Sequence, residues 1–271
     1  MNFCIQYCAT NKCLKQADEI SIHFKASNNL KVFLQEHTNQ IINVIVDRAE
    51  LDSWQTLEPI FLALAKEFPN FRVQIFPTGH MRDEFSALKS INPELPWFSG
   101  IPATNWERLR ELIRCGATAV YIAEDLGFDA VSAAEMCHEN GVKTRFIPNV
   151  ATSSCSTTPS IKKFFIRPED LYLYESIADT IEIWGLPERQ DAYFKAYKER
   201  KSWDGYLFPF FYSFAKEENI EGDKIHPIFG KARLECKRRC FRDNRKCRIC
   251  EQIIEFSEIL KNKELRIKKR D

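Results

Sequence analysis

Asn105-Trp106-Glu107-Arg108-Leu109-Arg110-Glu111-Leu112-Ile113-Arg114-Cys115-Gly116-Ala117-Thr118-Ala119-Val120-Tyr121-Ile122 holds a helix, its stop and a strand in succession. Trp106, Leu109, Leu112 and Ile113 recur at helical spacing, and Asn105 stands where an N-cap belongs. Gly116 can take the left-handed conformation that ends a helix without a Cβ clash. The residues after it, Ala117 to Ile122, form a short run of strand composition. Gly141 repeats the device ahead of Val142-Lys143-Thr144-Arg145-Phe146-Ile147.

Working outward, the same grammar covers most of the first 185 residues. Strands are expected at 3–8, 19–24, 41–47, 71–77, 96–100, 119–124, 143–149, 164–168 and 180–185. Ile41-Ile42-Asn43-Val44-Ile45-Val46 is almost continuously apolar, as suits a strand covered on both faces. Between strands, Trp54, Leu57, Ile60, Phe61 and Leu64 make a second helical stripe. Strand and helix in alternation predict an α/β fold, a (β/α)8 TIM-barrel-like domain, with an open doubly wound parallel sheet as the alternative. Nine strand candidates compete for eight places, and 3–8 and 164–168 carry the weakest signals.

The bulk numbers agree with a globular chain. Its 271 residues suit one barrel of ordinary size, and 44% hydrophobic with 28% charged residues allows a real core. No run of about 20 apolar residues is present to cross a bilayer. Met1-Asn2-Phe3-Cys4-Ile5-Gln6-Tyr7-Cys8 lacks the basic start and long apolar stretch of a signal peptide. A cytoplasmic protein without a membrane partner is therefore expected. The net charge of +1 excludes neither nucleic acid nor acidic ligands, because asymmetry can hide within a balanced total.

Three segments follow from this grammar. Residues 1–185 are the barrel. Residues 186–230 form a helical and aromatic cover, with a polar helix at 188–201 and Trp203, Tyr206, Phe208, Phe210, Phe211, Tyr212 and Phe214 close together. Residues 231–271 form a basic cysteine module that closes on a helix.

That module carries the sharpest chemistry. Cys236, Cys240, Cys247 and Cys250 are spaced C-x3-C, six residues, C-x2-C. Two close pairs can present four thiolates to one ion, which suits tetrahedral Zn2+ or a [4Fe–4S] cluster. Nine Lys or Arg stand among residues 231–250 against two acids, and they would favour the thiolate form. Arg238, Arg239, Arg242 and Arg245 make the same segment a candidate contact for RNA or DNA phosphates; charge balance alone is the ordinary reading. Cys4, Cys8 and Cys13 are read as buried thiols rather than a second site.

In a parallel barrel the reactive groups sit at the C-terminal strand ends. Candidates there are Asp47, His80, Glu124, Asp125, Asn149, Arg167, Glu169 and Glu182. Glu124, Asn149, Arg167 and Glu182 are the proposed catalytic set, lining a pocket that would take a small molecule. A carboxylate could move a proton or hold a metal, and Arg167 could clamp an anion with two parallel bonds. For each, a helix cap, a loop charge or a buried ion pair is the plainer alternative, and Asp47 is read as a cap.

Residues 115–122 resemble the "GADAVY" strand of the collagenase-like peptidase family, which also contains ubiquinone- and RNA-hydroxylation factors. Asn140-Gly141-Val142-Lys143-Thr144-Arg145-Phe146-Ile147-Pro148-Asn149 is similar to its "GVKVYLTVN" strand. Phe165-Ile166-Arg167-Pro168-Glu169-Asp170-Leu171 with Thr180-Ile181-Glu182-Ile183-Trp184-Gly185 resembles its "ARELSL … ELEVFVHG" pair. The resemblance spans residues 100–185 and implies a barrel followed by a cysteine cluster, [4Fe–4S] in known members. The sequence departs from it where Trp184-Gly185 replaces His-Gly and where the cysteine spacing differs, so the cluster type does not carry over. Two functional expectations result: a metal-containing barrel enzyme modifying RNA or a small aromatic substrate, or a non-catalytic structural module with a zinc knuckle that binds nucleic acid or a protein.

Overall fold

Strict alternation builds three of the strands. In Glu19-Ile20-Ser21-Ile22-His23, Phe71-Arg72-Val73-Gln74-Ile75 and Thr180-Ile181-Glu182-Ile183, every second residue is apolar. Successive strand side chains point to opposite faces, so each strand has one apolar and one polar side. The apolar residues Ile20, Ile22, Phe71, Val73, Ile75, Ile181 and Ile183 all belong to one continuous buried cluster.

The computed structural model describes residues 1–8, 12–24, 29–76, 85, 88–103, 105–122, 129–148, 166–184, 187–201, 231 and 259. Its strands are β1 Asn2–Gln6, β2 Glu19–His23, β3 Ile41–Val46, β4 Phe71–Ile75, β5 Trp97–Ser99, β6 Ala119–Tyr121, β7 Lys143–Phe146 and β8 Thr180–Ile183. Each runs parallel to its neighbours, and β8 pairs back onto β1 with Asn2 opposite Thr180 and Cys4 opposite Glu182. The sheet is a closed barrel of eight strands, not an open doubly wound sheet. The pairing is thinnest between β5 and β6, where Phe98 faces Ala119.

Eight of the nine expected strands exist. The exception is 164–168: Ile166 and Arg167 lie outside any strand, and Pro168 opens a 3-10 turn, Pro168–Tyr174. A proline lacks the N–H that a ladder needs, yet suits the first position of a helical turn.

The described helices are α1 Leu30–Glu36, α2 Arg48–Leu51, α3 Trp54–Glu67, α4 Trp106–Arg114, α5 Ala130–Glu139 and α6 Pro187–Glu199. Asn105 caps α4 as expected, its Oδ1 accepting from the Arg108 N–H at 2.8 Å. Gly116 and Gly141 both have positive φ, at 85° and 71°, and a Cβ on either would meet nothing within 4 Å. Backbone conformation alone thus calls for glycine at these two stops. On α3 the stripe holds except at Ile60, which is 49% exposed because it falls on the edge of the arc centred on Leu57 and Phe61.

The outer layer continues past residue 185. Helix α6 packs against β8 and the 3-10 turns Lys12–Gln16 and Pro168–Tyr174, burying Tyr193, Phe194 and Tyr197. Tyr197 donates its hydroxyl to the Ile166 carbonyl at 2.8 Å. Asp191 receives the backbone N–H groups of Lys12 and Cys13 at 3.1 and 3.0 Å. The main apolar core is therefore the ring between strands and helices. Among the described residues no helix is long and apolar enough to cross a membrane.

Candidate functional site

The polar faces of the strands have only one place to go. With helices outside, Cys4, Glu19, Ser21, Asn43, Gln74, Arg145, Thr180 and Glu182 fill the barrel interior. Barrel interiors are ordinarily layers of branched apolar side chains. Here a charged network takes their place.

Arg145 is its centre. Its Nη1 donates to Glu19 Oε2 at 2.6 Å and its Nη2 to Glu182 Oε2 at 3.1 Å. The guanidinium also lies over the rings of Phe98 and Tyr121, at 4.6 and 5.3 Å from their centroids, an arrangement that favours a cation. Glu19 further accepts from Asn43 Nδ2 at 3.1 Å and from Thr180 Oγ1 at 2.8 Å. Burial alone would raise the Glu19 pKa, but the charge of Arg145 and these donors outweigh it and hold the carboxyl down at about 2. Tyr121 donates its hydroxyl to Glu182 Oε2 and receives Gln74 Nε2 at 3.3 Å. Burial pushes the Tyr121 phenol well above its ordinary range, so it stays protonated. Burial does the same to the Cys4 thiol, which contacts Ser21 Oγ at 3.3 Å.

Toward the C-terminal strand ends this network opens into a cavity of about 200 Å³. Gln6, His23, Asp47, Phe76, Glu182 and Trp184 line it, together with Ile45. His23 ends β2 with its ring held at both nitrogens: Nε2 is 3.1 Å from Gln6 Nε2, and Nδ1 is 3.4 Å from Asp47 Oδ2. With the Gln6 amide donating, Nε2 is the acceptor and the ring proton sits on Nδ1 facing the carboxylate. Trp184 Nε1 donates to Glu182 Oε1 at 2.8 Å, linking the mouth to the network below. Phe76 reaches its place only because residue 100 is glycine: a Cβ there would stand 2.4 Å from the Phe76 ring.

The sequence-derived candidates divide clearly. Glu182 lies in the barrel and lines this mouth from below. Asp47 does two things: its carbonyl accepts from the Glu50 and Leu51 N–H groups at the start of α2, while its carboxylate faces His23. Arg167 is 2% exposed and clamped by Asp170, with Nε to Oδ2 at 2.6 Å and Nη2 to Oδ1 at 2.8 Å, the buried ion pair weighed against anion binding. Its neighbour Glu169 stands 3.4 Å from Nη1. Glu124, Asp125, Asn149, His80, the aromatic run from Trp203, the four C-terminal cysteines and Arg238, Arg239, Arg242 and Arg245 lie outside the described residues. Cys4 faces the barrel network and Cys13 packs in the outer core, both buried free thiols as expected, whereas Cys8 is only half-buried. Among the described residues no three acidic, His or Cys side chains gather as a metal site.

His23, Gln6 and the Glu19–Arg145 pair were missed in the sequence. Their signal was the alternation itself: in helix-covered parallel strands, polar residues at period two must point inward.

No family model matches the chain, and no curated protein does either. Among solved structures, the chain is similar to that of the U32 peptidase Mk0906, with 10% sequence identity and a TM-score of 0.43 over 68% of this chain and 92% of that one.

Proposed function

We propose that the chain is an enzyme that performs acid–base chemistry at the C-terminal mouth of its barrel, with His23 as the proton-transferring group. The observation that carries this reading is the two-sided hold on the His23 ring. Asp47 orients Nδ1–H, as an acceptor beside an imidazole does in general-base sites. Gln6 occupies Nε2 in the place that a substrate donor would take. A substrate entering the mouth displaces the Gln6 amide and gives its proton to Nε2, and the Asp47 carboxylate offsets the charge that develops on the ring. Phe76 and Trp184 at the same cavity supply aromatic walls, so the substrate is a flat ring such as a small aromatic compound or an exposed nucleobase. The likeness of residues 100–185 to the collagenase-like peptidase family motifs supports an enzyme over a non-catalytic module.

Two further parts of the proposal concern the C-terminal segment. Cys236, Cys240, Cys247 and Cys250 bind one metal centre, Zn2+ or [4Fe–4S], because four thiolates in two close pairs match either. The cations among them, Arg238 and Arg242 included, give an RNA substrate a place to dock.

The test compares wild type with His23→Gln against a small-molecule extract and against total RNA, followed by mass spectrometry. We expect at least one compound or nucleoside that wild type converts and the variant converts about a hundredfold more slowly. Equal conversion by both, or conversion by neither, ends the proposal.

A further inference from the structure

We propose that the opposite, N-terminal end of the barrel is a second binding site, for a small organic carboxylate. The cavity there is about 450 Å³, the larger of the two barrel cavities described, and within the usual range for small-molecule sites. The N-terminal face of such a barrel ordinarily serves stability alone, so an open, charged cavity there calls for an occupant.

Its walls name the charge. Lys66, Arg72, Lys143 and Arg145 line it against Glu19 and Glu94. Two of these cations are already matched: Arg145 by Glu19 and Glu182, and Lys66 by Glu94 at 3.5 Å. Arg72 and Lys143 make no ion pair among the described residues. Arg72 is half-buried, and burial lowers its pKa while the charge of Glu19 acts the other way; no carboxylate stands within ion-pair distance of it among the described residues. Its Nη1 donates to the carbonyls of Pro69 and Phe71 at 2.8 and 2.7 Å, which fixes the plane of the guanidinium. Nε and Nη2 remain, the pair of parallel donors that a carboxylate takes in two-pronged fashion.

The wall composition also limits the ligand. Four cations face two carboxylates, and Glu182 one layer deeper makes three, so the cavity has room for one negative charge rather than several. That favours a monocarboxylate over a phosphate ester or a nucleotide. Ile41, Leu62 and Pro96 give the remainder of the ligand an apolar surface. The site is independent of the proposed chemistry at the mouth, since no residue of the His23 clamp lines it.

The experiment is calorimetric titration of the full chain with benzoate, with benzamide as the neutral isostere and with inorganic phosphate. Benzoate is expected to bind at least about tenfold more tightly than either, the ratio that loss of one charged contact produces. Arg72→Gln should abolish that preference. Lys143→Glu, at an exposed side chain that leaves folding intact, should weaken benzoate severalfold. His23→Gln should leave benzoate affinity unchanged. Equal affinity for benzoate and benzamide, a Lys143→Glu variant that binds benzoate as wild type does, loss of binding in His23→Gln, or no benzoate heat at millimolar concentration would each overturn the proposal.

Discussion

Replacing Arg145 with Met removes the one cation between two buried carboxylates while keeping most of the side-chain volume. Glu19 and Glu182 are 3% and 1% exposed, so neither can find water in its place. In the wild type, Glu19 is held from an ordinary 4.5 down to about 2. At ~1.4 kcal/mol per unit, that depression is worth about 3 kcal/mol of stability near neutral pH. Its sign follows from the direction: the stabilisation is full above pH 4.5 and disappears as pH falls through about 2. In Arg145→Met, burial acts on Glu19 without its counter-charge, so its pKa rises above the ordinary value. The stabilising form is then the protonated one, present at low pH and lost as pH rises. Breaking a buried pair of this kind costs about 3–5 kcal/mol. The variant should therefore lose that amount near pH 7 and much less near pH 4, where Glu19 can take a proton. Urea unfolding followed by tryptophan fluorescence reads both values, with Trp184 reporting directly on Glu182 through its 2.8 Å bond. A loss under ~1 kcal/mol near pH 7, or the same loss at both pH values, would refute the assignment of Arg145 as the counter-charge.

Gly100→Ala should cost about 1–3 kcal/mol by driving a methyl into the Phe76 ring 2.4 Å away, and should also disturb the mouth; a thermal midpoint equal to wild type would contradict the close approach. Wild type and Cys247→Ser should differ in bound zinc or iron after anaerobic purification, with equal metal content removing the four-cysteine centre. Arg238→Glu with Arg242→Glu should weaken RNA binding at low salt, and the remaining affinity should fall less steeply as salt rises; anisotropy titrations unmoved by both changes would remove that segment as the docking site.

The strand positions were legible because β-branched runs and the glycine stops act locally, at Gly116 and Gly141 above all. The strand expected at 164–168 is not seen over its described residues 166–168, where the apolar run was weighed above the proline that ends it. The site was harder to read because its members are far apart in sequence: Arg145 and Glu19 are separated by 126 positions and meet only when the barrel closes. Glu182 was found from its place near a strand end, but its partners Tyr121 and Arg145 could be assigned only from strand register. Arg167 shows the opposite error, since an arginine after a strand looks available until Asp170 three residues on is seen to occupy it. His23 closes a period-two pattern that marked it as inward, a feature visible in the sequence but outweighed there by the list of loop residues.

The Glu19–Arg145–Glu182 trio has a consequence for how this chain can diverge. Exchanging Arg145 for an apolar residue leaves two unmatched carboxylates in a place without water, whereas losing Glu19 or Glu182 still leaves the arginine one partner. The path from this interior to the usual aliphatic one is thus constrained in its order, because one carboxylate can go first but the arginine cannot. The trio acts as a ratchet with an order: a lineage with Leu or Val at position 19 can keep the pair between Arg145 and Glu182, but one that has lost the arginine should have given up both carboxylates as well.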